Sequence, residues 1–386
     1  MIRERVIAAL DEATVVRLAQ DLIRADTTNP PGRELSLARR LQAWAEGAGL
    51  ETALYPMDED RGSLLVRLRG SGERAPVAFA GHLDTVPVIR ADWTHDPHAG
   101  IVVEGMVYGR GASDMKGGLA SALSAAAVLA RHRVPLKGDL LIACTADEEV
   151  ACRGAQDLLR RGVLQGIAHL IIPEPTDLEV WVAEKGALWL EVRSQGRAAH
   201  GSAPHLGVNA VLPLARLACV LADLPLPHPR HPLLGSPTIS VNLIEGGTKV
   251  NVVPAEARLQ VDIRLLPGQD LGEVRREVER RAREAAGPQV SVETLVAWEA
   301  VETPPEAETV QIVRRSVEAI LGQLPRLGGA AYFTEGGVYA PGLQVPMVIC
   351  GPGDPTQAHQ TNESVRGERL LQGARAFALM ALDMLT

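Results

Sequence analysis

A short apolar run, Val77-Ala78-Phe79-Ala80, breaks into Gly81-His82-Leu83-Asp84-Thr85-Val86-Pro87, and this arrangement constrains the rest of the chain more than any other. A run of that length, bounded by polar and turn residues, reads as a buried strand. His82 then falls at the strand's C-terminal end, the edge of an open α/β sheet where ligands and catalytic groups collect. Asp84 stands two residues on, so in extended backbone its side chain shares a side with His82 and is expected to accept a hydrogen bond from the imidazole. A carboxylate in that place would fix the tautomer of a metal-binding histidine. Alone, His-x-Asp reads better as a polar turn after a strand. Residues further along the chain decide between the two.

With 386 residues the chain exceeds one ordinary core, so two domains are expected. A formal net charge of -8 argues against a nucleic-acid partner, which needs a basic patch. No apolar stretch is long and uncharged enough to cross a bilayer. Met1-Ile2-Arg3-Glu4-Arg5 leads into a mixed-charge segment without the pattern of a signal peptide, so a cytoplasmic location is expected. Cys144, Cys152, Cys219 and Cys350 are scattered without metal-type spacing, which favours reduced thiols over disulfides or a zinc knuckle.

Apolar residues at helical spacing predict helices over 12–23 and 34–48, with Thr27-Thr28-Asn29-Pro30-Pro31-Gly32 between them as a plain loop. Strands are expected over 51–55 and 63–68, ahead of the one that delivers His82. Gly109-Arg110-Gly111-Ala112-Ser113-Asp114-Met115-Lys116-Gly117-Gly118 then enters an Ala-rich helix over 119–130. Its glycine spacing matches neither the dinucleotide nor the P-loop pattern. Asp114 instead stands just ahead of a helix N-terminus, as a ligand or as a cap. A strand over 140–145 ends in Ala146-Asp147-Glu148-Glu149, where adjacent carboxylates point in different directions, so one can bind a metal while the other handles a proton. A strand over 169–172 delivers Glu174 between Pro173 and Pro175, and Pro175 biases Glu174 away from helix.

From about residue 187 the pattern changes to strand 187–192, helix 208–224, strands 238–244 and 256–264, helix 271–286 and strand 290–295. That β-α-β-β-α-β order is the split ferredoxin-like unit, and it predicts an inserted domain over 184–296 within a domain of 1–183 and 297–386. His200 lies in a glycine-flanked loop of the insertion. Beyond it come a helix over 308–321, a Gly-containing loop over 331–337, and a strand over 345–350. Gly351-Pro352-Gly353 then leads to Gln357-Ala358-His359-Gln360, and a last helix covers 366–385. His359 therefore has the same structural address as His82. No Gly-x-Ser-x-Gly elbow or recognisable nucleophilic cysteine is present, so catalysis by a side-chain nucleophile is unsupported.

His82, Asp114, Glu148, Glu149, Glu174 and His359 all sit just past strand ends or before a helix, where one sheet edge could gather them. Mixed histidine and carboxylate ligands suit Zn, Co or Mn. Two histidines and three carboxylates are enough for two divalent metal ions sharing one bridging Asp, roughly 3.5 to 4 Å apart in such sites. The remaining glutamate is then free to act as a general base.

These segments, Gly81-His-Leu-Asp-Thr-Val-Pro, Gly109-Arg-Gly-Ala-Ser-Asp-Met-Lys-Gly-Gly, Ala146-Asp-Glu-Glu, Glu174-Pro-Thr and Gln357-Ala-His-Gln, resemble the motif set of the co-catalytic zinc deacylases and exopeptidases. That family includes acetylornithine deacetylase, succinyl-diaminopimelate desuccinylase, aminoacylase and carboxypeptidase G. The resemblance implies an α/β fold, with a mixed-sheet zinc-exopeptidase catalytic domain and an inserted lid and dimerisation domain, hence a homodimer. It implies that His82 and Glu174 bind one zinc, that Glu149 and His359 bind the other, and that Asp114 bridges them. Asp84 would orient His82. Glu148 would take a proton from the metal-bound water as it attacks an amide carbonyl, then deliver it to the leaving nitrogen. In the lid, His200 resembles the histidine that stabilises the oxyanion across a dimer interface, and Arg264 and Asn251 resemble the positions that hold a substrate carboxylate. Gly336 falls in a glycine turn like the desuccinylase's, whereas Tyr332-Phe333-Thr334-Glu335 looks more like acetylornithine deacetylase. Hydrolysis of an N-acyl amino acid is the expected reaction, with the acyl group open. The alternatives are a metallo-exopeptidase on the same site, an N-carbamoyl amidohydrolase, and a metal-free binding protein of the same fold.

Overall fold

A computed structural model describes residues 2–386. The chain forms two units: the first takes in the chain up to Ala183, then Glu302–Gly329 and Thr334–Thr386, and the second Glu184–Val301 with Ala330–Phe333.

The first unit is built on a mixed sheet in which Glu51–Pro56, Gly62–Leu68, Leu140–Thr145, Val77–His82, His169–Ile172, Met347–Ile349 and Val180–Glu184 are successive neighbours. Gly62–Leu68 runs antiparallel to Leu140–Thr145, but the next three pairings are parallel, with His82 opposite Thr145, Val77 opposite His169 and Ile349 opposite Ile172. Parallel strands buried on both faces read as unbroken apolar runs, and Val77–His82 and Leu140–Thr145 are buried at every position. Their parallel register puts four C-terminal ends on one edge of the sheet.

Helix Glu12–Ile23 starts where Asp11 accepts the Thr14 N–H at 2.9 Å, and it buries Val15, Leu18, Ala19 and Leu22. Lys116–Arg131, Ala-rich and buried from Lys116 to Leu129, crosses the sheet beside Gly367–Leu385. Phe377 of the latter helix meets Phe79 of the central strand, ring centroids 5.3 Å apart. At Gly118 an added Cβ would fall on the Pro173 carbonyl oxygen, so the missing side chain lets this helix approach the segment that carries Glu174.

The second unit is a four-stranded antiparallel sheet in the order Thr238–Gly246, Glu256–Leu265, Gly186–Gln195, Val290–Trp298. Helices Val211–Ala222 and Leu271–Ala286 bury Leu214, Leu217, Leu221, Val278 and Ala282 against Leu188, Leu190, Leu259 and Ile263.

Three differences from the sequence reading have local causes. The last strand of the second unit continues to Trp298, paired with Ala187, so this unit extends past residue 296. Ala330–Phe333 joins it because the Ala330 carbonyl accepts the Lys185 N–H at 3.1 Å and the Phe333 ring packs edge-on against Trp189. Gly336-Gly337, read as the end of a glycine-containing loop, instead begins helix Gly336–Leu343, which contains Pro341. Burial of Val338, Tyr339 and Ala340 overrides the propensity of its glycines and proline.

Candidate metal centre

The shared sheet edge gathers the six residues expected there. The strands end at His82, at Thr145 ahead of Asp147-Glu148-Glu149, and at Ile172 ahead of Glu174. His359 comes after Met347–Ile349 in a left-handed backbone conformation, φ 62°. Asp114 precedes helix Lys116–Arg131, whose start has no side-chain cap. The capping role open to Asp114 is not the one it takes.

Asp114 is the centre of the cluster. Its Oδ1 lies 3.2 Å from His82 Nε2 and its Oδ2 lies 3.4 Å from His359 Nε2. His82 Nε2 is also 3.5 Å from Glu174 Oε1 and 3.9 Å from Glu148 Oε2, while His359 Nε2 is 3.2 Å from Glu149 Oε2. Ligand atoms of His82, Asp114 and Glu149 all fall within 4.8 Å of one another, a group able to hold a metal ion.

The expected contact between His82 and the Asp84 carboxylate is corrected in one respect. His82 Nδ1–H donates to the Asp84 backbone carbonyl at 3.0 Å, and the carboxylate oxygen stands back at 3.7 Å. The carboxylate instead accepts the backbone N–H of Glu148 at 3.1 Å and of Glu149 at 3.2 Å. Asp84 therefore fixes the His82 tautomer with its main chain and the acidic turn with its side chain. A carbonyl can only accept, so the neutral ring keeps its lone pair on Nε2, facing carboxylate oxygens. That juxtaposition is repulsive unless a proton or a metal cation lies between, and the donor set of imidazole nitrogen and carboxylate oxygen fits a divalent metal.

The electrostatics agree. Burial opposes charge on His82, but its hydrogen bonds to Asp114 and Glu174 outweigh that and raise its pKa well above the usual value. Burial, then the Asp114 charge, pushes Glu174 up to about 8. Burial likewise raises Glu148 well above the carboxylate range, with the Glu149 and Glu174 charges adding to it. The Glu149 hydrogen bond carries His359 up to about 9.

Sequence reasoning missed the supports beneath this cluster. Asn29, from the segment read as a plain loop, donates to Asp84 Oδ2 at 2.8 Å and to Asp147 Oδ1 at 3.1 Å. Buried Arg61 pairs with both Glu34 and Asp147, each at 2.7 Å. Glu363, fully buried, holds the turn that carries Asp114. Glu335 is buried against Thr145, whose hydroxyl donates to it. Asn29, Arg61, Glu335 and Glu363 all stand in polar or glycine-containing segments of the sequence, which gave no signal of their burial.

Burial raises Glu335 from 4.5 to about 7. A carboxyl raised in the folded state stabilises fully below its unfolded pKa, and that contribution is lost as pH climbs through the folded value. Metal-free protein is thus expected to lose stability between about pH 4.5 and 7, and Glu335→Gln to remove about 3 kcal/mol of that fall. Urea denaturation of both proteins at pH 5 and 7.5 checks it. Equal falls in the two proteins would rule the assignment out.

The other expected site residues are not brought into the cluster by any contact within the first unit. Gly336 is buried at the start of its helix, where a Cβ would fall on Met347 Sδ, so its small size serves packing. His200, Asn251 and Arg264 belong to the second unit. His200 Nδ1 meets Ser202 Oγ at 2.7 Å, and the Asn251 carbonyl accepts the Gly201 N–H at 2.7 Å. Arg264 donates through Nε and Nη2 to Asp262, at 2.8 and 3.0 Å, with its guanidinium carbon 5.3 Å from the centre of the Phe333 ring. Its buried Nη1 has no hydrogen-bond partner among the described residues.

The family model described as Peptidase family M20/M25/M40 matches residues 78–383. Acetylornithine deacetylase of Myxococcus xanthus is 33% identical over 369 residues, 91% of this chain and 92% of the relative. Succinyl-diaminopimelate desuccinylase of Methylorubrum extorquens is 33% identical over 336 residues, 82% of this chain and 86% of the relative. Among solved structures, an M20 family metallo-carboxypeptidase from Sulfolobus solfataricus superposes with a TM-score of 0.82 at 18% identity, covering 95% of this chain and 98% of that one.

Proposed function

The chain belongs to peptidase family M20/M25/M40, and from that premise we propose that it is a metal-dependent amidohydrolase cleaving the amide bond of an N-acyl amino acid. The observation that carries the reading is Asp114, with one oxygen towards each of two histidine Nε2 atoms. His82 and Glu174 would hold one divalent ion, His359 and Glu149 the other, and Asp114 both. Imidazole and carboxylate donors favour zinc, with cobalt or manganese as substitutes. When bound, such ions polarise an amide carbonyl and make water nucleophilic near neutral pH.

The protein's own groups do the rest. Glu148, buried beside His82 and held through its N–H by Asp84, accepts a proton from the attacking water and returns it to the departing amine nitrogen. His82 keeps its Nε2 lone pair available because Nδ1–H is committed to the Asp84 carbonyl. From the second unit, His200 would donate to the developing oxyanion, and Asn251 and Arg264 would take the substrate carboxylate. Arg264 supports this role with one buried guanidinium nitrogen still free. Association into a homodimer through the second unit is part of the proposal; Thr238–Gly246 and Val290–Trp298 are the end strands of that unit's sheet, and among the described residues no further strand pairs with either. No described helix is long and apolar enough to cross a membrane.

A hydrolysis panel on zinc- and cobalt-loaded protein tests the reading, with N-acetyl-ornithine, N-succinyl-diaminopimelate, N-acetyl-methionine and a dipeptide, each with a chelator control. Chelator-sensitive turnover of one acyl amino acid supports it, because both relatives named above act on such compounds by name. Preference for the dipeptide would replace it with an exopeptidase reading, and no turnover with two ions bound would overturn it. Arg264→Ala is expected to raise KM for the preferred substrate about 10- to 100-fold with a smaller change in kcat, the scale of a lost charge-assisted hydrogen bond. An unchanged KM would remove Arg264 from the carboxylate site.

A further inference from the structure

Glu363 lies four residues after His359 and is fully buried, with every lone pair of its carboxylate engaged. Its Oε1 accepts the backbone N–H groups of Ser113 at 2.8 Å and Asp114 at 2.9 Å. Its Oε2 accepts the Gly111 N–H at 3.1 Å and Arg110 Nη1 at 2.7 Å. The Glu363 carbonyl takes the Gly109 N–H at 3.0 Å. Arg110, itself 4% exposed and stacked over Trp93, donates its second terminal nitrogen to the His359 carbonyl at 3.3 Å.

A buried ion pair contributes little net stability over apolar side chains of the same size, so stability alone does not account for this one. Its geometry gives it a different use. Residues 109–115 form turns outside regular structure and have no ladder of their own to fix them. Asp114 nevertheless has to present one oxygen to each of two histidines, and small rotations of its backbone would lose one of them. We infer that Glu363 and Arg110 are a positioning pair for the two-ion site. Glu363 clamps the main chain of the shared ligand Asp114, and Arg110 ties that clamp to the main chain of His359. The two sites are thereby set by one buried unit. The inference rests on the two-ion reading above.

The variant that tests it is Glu363→Gln, which keeps the volume and one acceptor oxygen but turns an NH2 group towards donors. Half of the clamp is lost without opening a cavity. Zinc affinity, measured by dialysis against a competing chelator, is expected to fall about 10- to 100-fold, the usual cost of removing a residue that orients metal ligands. Melting of metal-free and zinc-saturated protein separates positioning from a purely structural role. A structural role lowers both melting points equally and leaves affinity unchanged, whereas positioning shrinks the rise that zinc produces. Arg110→Lys keeps a cation beside Glu363 but gives up the fork that also reaches His359, and is expected to weaken one of the two ions. It decides the matter if Glu363→Gln does not fold. Wild-type protein that binds no zinc would defeat the two-ion reading itself. Wild-type protein binding two ions, with a folded variant that binds both as tightly, would overturn the positioning role alone.

Discussion

Glu148→Gln is expected to lower kcat by about 10²- to 10⁴-fold, the range for loss of a positioned general base, while both ions remain bound. Glutamine matches the shape of glutamate and keeps the N–H that donates to Asp84 Oδ1 at 3.1 Å, so the acidic turn should hold. What disappears is the ability to take a proton. Glu148 is set apart from its neighbour by its surroundings: Glu149 Oε2 pairs with His359 at 3.2 Å, whereas Glu148 Oε2 stands 3.9 Å from His82 and makes no closer polar side-chain contact among the described residues. A group held less tightly by the ligand cluster is the one free to exchange a proton. Steady-state kinetics together with metal content per chain test the division. A kcat within tenfold of wild type would transfer the base to another group, and loss of an ion would make Glu148 a ligand.

The positions of these six residues were legible in the sequence because each comes after a short apolar run or precedes a helix, and parallel strands place such positions on one edge. The supporting groups were not legible. Asn29 reaches Asp84 and Asp147 across 55 and 118 residues, and Glu363 reaches Asp114 across 249. Contacts of that kind leave no period in the chain, and loop residues such as Thr27-Thr28-Asn29 carry turn signals whatever their side chains touch. The Asp84 carboxylate was misdirected for a related reason. Strand alternation specifies the side to which a side chain points, but the backbone turns after His82, so the main-chain carbonyl reaches Nδ1 first. At Gly336-Gly337 the glycines signalled a loop, and burial of Val338, Tyr339 and Ala340 decided for a helix instead.

Removal of metal is expected to abolish turnover, to cost the protein about 4 kcal/mol of stability where free metal had stood near 1,000 times its dissociation constant, and to leave the fold in place. Survival of the fold is due to the histidines. In the metal-free state the Glu149 hydrogen bond holds His359 near 9, so at neutral pH an imidazolium charge stands among the carboxylates, and His82 is shifted in the same direction. That charge substitutes partly for the missing cations. The same proton has to leave when metal enters, and Glu174, pushed to about 8 chiefly by burial, gives up another. Binding therefore releases protons at pH 7, and affinity should weaken as pH falls from about 9 towards 7, by up to about tenfold per pH unit for each proton displaced. Calorimetric titration of metal-free protein with zinc, in two buffers of different ionisation enthalpy at pH 7, counts those protons directly. Release of none would mean that the cluster is already deprotonated without metal, and that the imidazolium account of its stability is wrong.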